Sequence, residues 1–219
     1  GALRSKAMTF FELHREEEAL MCLNEALKED PKDLRALHLK GVVLVNLYRN
    51  EESLVCYDEV LKEDPKNLRA LRGKGAVLGR LHRIDESLAC FDEVLKADPK
   101  NSDALNDKVP ALWDLDRYEE ALACTEEILK VDPKNLKALN GKGITLFFLR
   151  KYEECLACLE EIFKIDPDKE VQKLIEQVKQ KIEDKEMVAK YDEMVADQAE
   201  HEDAEIEADN DEFREKFGL

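Results

Sequence analysis

Large apolar residues recur along this chain on a ruler of 34 positions. Leucine stands at Leu3, Leu37, Leu71, Leu105 and Leu139. A large apolar residue follows seven positions later, at Phe10, Leu44, Leu78, Leu112 and Leu146, and a third stands at Leu13, Leu47, Leu81, Leu115 and Leu149. Offsets of seven and three put all three on one face of a helix. A basic-then-acidic turn comes next: Arg15 to Glu18, Arg49 to Glu52, Arg83 to Glu86, Arg117 to Glu120 and Lys151 to Glu154. A cation closing one helix and carboxylates opening the next both complement the helix dipoles. A second amphipathic stretch then carries Leu54, Tyr57, Val60 and Leu61 in one unit and Leu88, Phe91, Val94 and Leu95 in the next. Asp-Pro closes each unit, at Asp30-Pro31, Asp64-Pro65, Asp98-Pro99, Asp132-Pro133 and Asp166-Pro167. Proline stops the helix there.

The pattern predicts antiparallel helix pairs, repeated. One such unit cannot cover its own apolar stripe, so its neighbours must stack on it, and the expected fold is all-α, an elongated α-solenoid. Beyond Pro167 the ruler stops. Val171, Leu174, Ile175, Val178 and Ile182 form one more stripe, read as a terminal helix that closes the array and runs on through Met187, Tyr191 and Met194. Residues 200–212 then hold eight acids in thirteen positions.

With these marks in place, the chain resembles the tetratricopeptide repeat family. Its alternation of large and small residues runs Leu71, Gly75, Leu78, Ser87, Phe91, Val94, Pro99 in one unit and Leu37, Gly41, Leu44, Ser53, Tyr57, Val60, Pro65 in the one before. The resemblance implies a right-handed superhelix of five repeats over residues 1–169 (1–33, 34–67, 68–101, 102–135 and 136–169). A capping helix at 170–196 and an acidic tail at 197–219 would follow. Lys40, Lys74, Lys108 and Lys142 look like a variant seen in some prokaryotic members. There are departures. Leucine replaces the family's usual Trp, and the turn glycine between helices is His14, Tyr48, His82, Asp116 or Arg150. The fourth unit has Val109-Pro110 where the third has Gly75-Ala76, and Pro110 is expected to kink its helix by removing a backbone hydrogen bond.

Composition narrows the function. Lys and Arg number 34 and Asp and Glu 51, so the net charge is 34 − 51 = −17. That argues against general nucleic-acid binding, which rests on phosphate neutralisation. No apolar run is long enough to span a membrane. Six cysteines in a charged chain without an apolar leader in Gly1–Phe10 fit a reducing, cytoplasmic location. Cys22, Cys56, Cys90, Cys124 and Cys158 also sit 34 apart. Equivalent positions in neighbouring units lie at least one helix spacing apart, about 8–10 Å. A disulfide needs Cα atoms within about 7 Å, so the ladder is read as packing, as is the mid-helix pair Cys155 and Cys158. Gly73-Lys74-Gly75 and Gly141-Lys142-Gly143 lack the strand and Gly-rich lead-in of a phosphate loop. The four His are scattered. No catalytic residue, metal site or cofactor is expected.

What remains is a surface. The resemblance implies that the first helix of each unit lines a concave groove for a protein or peptide. Its groove positions are Arg35, His38 and Val42; Arg69, Arg72, Ala76 and Arg80; Asn106, Pro110, Trp113 and Asp114; and Lys137, Asn140, Ile144, Phe147 and Phe148. The first half is basic, and the second turns acidic and then apolar, with Trp113, Phe147 and Phe148 as an aromatic cluster. The expected partner is an acidic segment, the chain's own acidic tail among the candidates. The Lys and Asn with which co-chaperone members clamp a C-terminal carboxylate are not at the matching positions, which disfavours heat-shock chaperone tails. The alternative function is self-association, as a homo-oligomer, through the terminal helix or the tail.

Overall fold

The computed structural model describes residues 1–217, with side chains through Met194 apart from Asp192. It divides into two units, residues 1–149 and residues 150–219. The division falls inside the expected fifth repeat.

Unit 1 is built from α1 (Ala2–Glu12), α2 (Glu16–Glu29), α3 (Leu34–Asn46), α4 (Asn50–Glu63), α5 (Leu68–Arg80), α6 (Ile84–Ala97), α7 (Ser102–Trp113), α8 (Tyr118–Val131) and α9 (Leu136–Phe148). Each helix packs on the next. In addition α1 touches α3, α3 touches α5, α5 touches α7 and α7 touches α9, whereas no two even-numbered helices of this unit meet. The odd helices therefore crowd together on the inner, concave side. The core is a chain of clusters with shared helices: Leu23, Val43 and Leu44 among α1–α4, Tyr57, Val77 and Leu78 farther along, then Leu112 and Ile128 among α6–α9. Leu44, Leu78, Leu112 and Leu146, all from the 34-residue ruler, are at most 1% exposed.

The caps repeat as faithfully as the core. Asp33, Asn67, Asn101 and Asn135 stand at the N-caps of α3, α5, α7 and α9, and their side-chain oxygens accept from backbone N–H groups of the first turn. Arg49, Arg83 and Arg117 begin the even helices and hold Glu52, Glu86 and Glu120 through paired hydrogen bonds of 2.6–2.7 Å; Arg15 holds Glu18 in the same way. Each Arg–Glu pair is exposed and contributes little on its own.

The turn between paired helices is where this chain departs from the family, and the departure has a backbone signature. His14, Tyr48, His82, Asp116 and Arg150 all adopt positive φ, between 54° and 58°. Around Tyr48 the amide of Tyr48 bonds the carbonyl of Val45 at 3.0 Å and that of Arg49 bonds Leu44 at 2.9 Å. This pair of bonds is the Schellman closure, which usually places glycine at the left-handed position. A side chain there costs about 1–2 kcal/mol, partly offset because glycine loses more entropy on folding. Tyr48 is 83% exposed and has little packing to lose. Tyr48→Gly is therefore expected to stabilise the chain by about 0.5 kcal/mol. A urea midpoint lower than that of the parent chain would refute the strain argument.

Helix α7 runs through Pro110 to Trp113 without a break. In unit 2, α10 (Tyr152–Ile165) packs on α11 (Lys169–Phe217). Of the stripe predicted on α11, Ile175 and Val178 are buried, Val171 and Ile182 are half-buried, and Leu174 is exposed. The acidic run at 200–212, with Phe213 and Phe217, lies outside the described side chains. No helix among the described residues is long and apolar enough to cross a membrane.

Candidate interaction face

The residues expected to line a groove lie on the odd helices of unit 1, and their chemistry changes along the array. At the α1–α3–α5 end a cleft of about 860 Å³ opens, lined by Arg4, Met8, Arg35, His38, Lys66 and Arg69 among others. Arg4 is bound to Asp33 at 2.5 Å. Arg35, Lys66 and Arg69 form no ion pair among the described residues. The His38 ring lies edge-on to the Tyr57 ring, 5.6 Å between centroids. Its Nδ1 is buried and has no hydrogen-bond partner among the described residues. Burial, and then the cations Arg69 and Arg72, hold the imidazole below its ordinary titration range. Val42 lines the same face half-buried, while Ala76 and Arg80 are exposed farther along.

In the middle the charges cancel. Arg72 pairs with Asp103 and, at 3.8 Å, with Asp107; Lys137 reaches the other oxygen of Asp107 at 3.0 Å. This row ties α5, α7 and α9 together. The expected opposition of a basic and an acidic half is thus softened: Arg72, Asp103, Asp107 and Lys137 neutralise one another, and the cations of this face that form no ion pair among the described residues are Arg35, Lys66 and Arg69 at the cleft and Arg80 farther along. Asn106 is half-buried beside this row, with Asn140, Pro110 and Asp114 exposed around it.

The far end is apolar. Ile144, Phe147 and Phe148 of α9 are 45%, 40% and 53% exposed. Phe148 stacks on Tyr118, with centroids 5.1 Å apart and planes 12° from parallel. Trp113 does not complete an exposed aromatic trio. Its ring is half-buried against the α6–α9 core, and its indole N–H donates to Thr145 Oγ1 at 2.9 Å. Thr145 in turn donates to the Gly141 carbonyl at 2.7 Å.

The first helix also lines the cleft, at positions the 34-residue ruler gives. Subtracting 34 from His38 and Val42 gives Arg4 and Met8, both in the cleft.

The six cysteines are thiols rather than disulfides, and all but the half-buried Cys90 are buried. Burial pushes the thiols of Cys56, Cys90 and Cys124 up, and that of Cys155 up to about 11, with Cys158 adding to the effect. Such a thiol is protonated at neutral pH, and the thiolate is the nucleophile. Cys155 in the native chain is expected to react with iodoacetamide more than about tenfold slower than in urea. Alkylation at equal rates would contradict that burial. Among the described residues no three His, Cys, Asp or Glu are grouped to hold a metal ion.

A stack of helical hairpins whose inner face carries a cleft and an apolar shelf defines a protein-interaction scaffold. Two family models match: one described as Psidin, N-terminal TPR repeats region, over residues 9–112, and one for the tetratricopeptide repeat over residues 112–178. The chain belongs to the tetratricopeptide repeat proteins, which are typically non-catalytic scaffolds. No curated protein matches it. Several solved structures share the fold. MamA 41-end from Desulfovibrio magneticus RS-1 is 21% identical, with a TM-score of 0.68, covering 76% of this chain and 96% of that one. YrrB, described as a TPR protein with an unusual peptide-binding site, is 20% identical, with a TM-score of 0.63, covering 80% and 90%. PilW, described as a widely conserved type IV pilus biogenesis factor, is 22% identical, with a TM-score of 0.70, covering 74% and 76%.

Proposed function

We propose that this chain is a non-catalytic scaffold that holds an extended segment of a protein partner along the odd-helix face. Acidic residues of that segment lie over the α1–α3–α5 cleft, and an apolar side chain rests on Ile144, Phe147 and Phe148. One observation carries the reading: a cleft with three cations that form no ion pair among the described residues stands at one end of the odd-helix array, exposed large apolar groups stand at the other, and a neutralised row lies between. Unpaired cations attract and steer an acidic partner, and an exposed apolar cluster is an expense that an interaction surface explains. The net charge of −17 favours protein over nucleic acid as the partner. The likeness to YrrB, described as having an unusual peptide-binding site, supports a peptide ligand. The chain's own acidic run at 200–212 is one segment of suitable charge.

The test is affinity capture from the source lysate with the parent chain, with Arg35→Glu/Arg69→Glu and with Ile144→Ser/Phe148→Ser. A captured protein lost in both variants supports the face as the site. Retention in both would overturn it. A second reading, self-association through α11, draws on the exposure of Met187, Val188, Tyr191 and Met194. Sedimentation decides it: a concentration-dependent dimer lost on removing residues 183–219 is its signature.

A further inference from the structure

His38 stands out at the cleft for one polar atom. Its Nδ1 is buried and makes no hydrogen bond among the described residues. A buried polar atom without a partner costs about 1–3 kcal/mol and calls for a specific reason. The cost is least if Nδ1 is the bare nitrogen of a neutral ring, because the charged ring would bury an unpaired N–H.

The charged groups around His38 can be named element by element. Helix α1 brings Arg4 and Glu12, and α3 itself brings Arg35. Helix α4 brings the uncharged Tyr57. The turn into α5 brings Asp64 and Lys66, and α5 brings Arg69 and Arg72. Arg4 is taken by Asp33 and Arg72 by Asp103 and Asp107. Asp64 accepts from Asn67 at 3.0 Å. That leaves the cations Arg35, Lys66 and Arg69, against the carboxylates of Glu12 and Asp64, which form no ion pair among the described residues, around a half-buried imidazole at the edge of a cleft with a net positive surplus. A carboxylate suits this place better than any neutral group: it accepts from guanidinium groups, and it cancels the positive field that disfavours an imidazolium.

We propose that the cleft is a carboxylate subsite of the groove, in which an Asp or Glu side chain of the bound segment lies between Arg35 and Arg69 and draws a proton onto His38, so that binding tightens as the pH falls. This rests on the reading that the partner occupies the odd-helix face.

The sign follows from linkage. In the free chain His38 titrates below its ordinary value, because of burial and the two arginines. With a carboxylate in the cleft, the charged ring gains a nearby opposite charge, which offsets part of the cost of the buried N–H at Nδ1, and it titrates higher than in the free chain. Between those two values the complex holds one proton more than its parts. Affinity therefore rises as pH falls through that window and levels off below it. Each pKa unit of separation is worth about tenfold in affinity.

The probe is a fluorescein-labelled peptide of alternating Glu and Ala ending in Phe, with two companions in which Gln or phosphoserine replaces Glu. Anisotropy is read on the full chain at about pH 5.5 and about pH 7.5, where the probe's carboxylates stay ionised. The Glu peptide is expected to bind about tenfold tighter at the lower pH. It should bind better than the Gln peptide at both, and lose most of its affinity to Arg35→Gln/Arg69→Gln. His38→Gln, which keeps a donor but cannot titrate, should bind with no pH slope. A carbon-detected NMR titration of His38 in the parent chain, with and without the Glu peptide, reads the proton directly and needs no variant. Tight binding of the Glu peptide with no pH slope, or a slope that survives in His38→Gln, sinks the subsite and leaves the groove reading standing. A clear preference for the phosphoserine peptide overturns the choice of a carboxylate. No binding by any of the three peptides sinks the groove reading and the subsite with it.

Discussion

Thr125→Phe will destabilise the fourth repeat by about 1–3 kcal/mol, and Val109→Gly in the same chain will restore much of the loss. The expectation comes from a size exchange between two positions that recur every 34 residues. In the second and third repeats a glycine on the odd helix faces an aromatic ring on the even one. A Cβ on Gly41 would come within 2.8 Å of the Tyr57 ring, and one on Gly75 within 2.9 Å of Phe91. In the fourth repeat the same two positions hold Val109 and Thr125: the odd helix carries the bulk and the even helix is small. Both are buried, and both approach Gly141, whose Cβ would meet Thr125 Cγ2 at 3.1 Å and Val109 Cγ1 at 3.8 Å. A Phe at 125 has no room while Val109 stays. Each single change is costly, Thr125→Phe by overpacking and Val109→Gly by a cavity and lost helix propensity. The double variant rebuilds the arrangement of Gly75 and Phe91, so the coupling should be favourable by about 1–3 kcal/mol. Trp113, the one tryptophan, sits on the same helix as Val109 and reports this region in a urea titration. Simple additivity of the two changes would show that the positions do not exchange volume.

The same comparison shows what a sequence of this kind discloses. The Asp-Pro marks end the even helices where expected: Asp30, Asp64, Asp98, Asp132 and Asp166 are their C-caps. Of the three apolar series on the ruler, the middle one names deeply buried leucines, Leu44, Leu78, Leu112 and Leu146, whereas Leu13 and Leu115 of the third are exposed at the helix ends. Both signals are local and repeat, so one unit calibrates the next. The left-handed turns were less legible, because His14, Tyr48, His82, Asp116 and Arg150 carry none of the glycine signal that normally announces positive φ. Asp33, Asn67, Asn101 and Asn135 fall on the same ruler, two residues after each proline, and their cap signal is weaker than the proline's. The face itself was legible only as a set of positions. Its charge balance was not, because Arg72 meets Asp103 across 31 residues and Trp113 meets Thr145 across 32. Such contacts depend on how one hairpin leans on the next, and no local pattern encodes that angle. The isolation of His38 is of the same kind: it needs Tyr57 from α4 and two arginines from α5.

Tyr57→Ala is expected to cost about 3–5 kcal/mol, a large share of a typical domain's 5–15 kcal/mol. Tyr57 is 2% exposed, and its ring is approached from two sides: a Cβ on Gly41 of α3 would stand 2.8 Å from it, and one on Gly73 of α5 2.6 Å. Two helices thus lie against one ring, and truncation leaves a cavity that neither can fill without moving toward the other. The phenol contributes less. Burial pushes it up to about 12, so it is un-ionised at all ordinary pH, and Tyr57→Phe should cost about 1 kcal/mol. The ring also backs His38, so the core and the cleft share a wall. Because each repeat leans only on its neighbours, the damage should stay local. Hydrogen exchange in Tyr57→Ala should accelerate across α3–α5 while α7–α9 remain protected, and the cleft should lose its acidic ligand while Tyr57→Phe keeps it. Uniform acceleration over all nine helices of unit 1 would mean that the array melts as one body and that Tyr57 is no local keystone. Unchanged exchange in α3–α5 would mean that the ring is not what holds those helices apart.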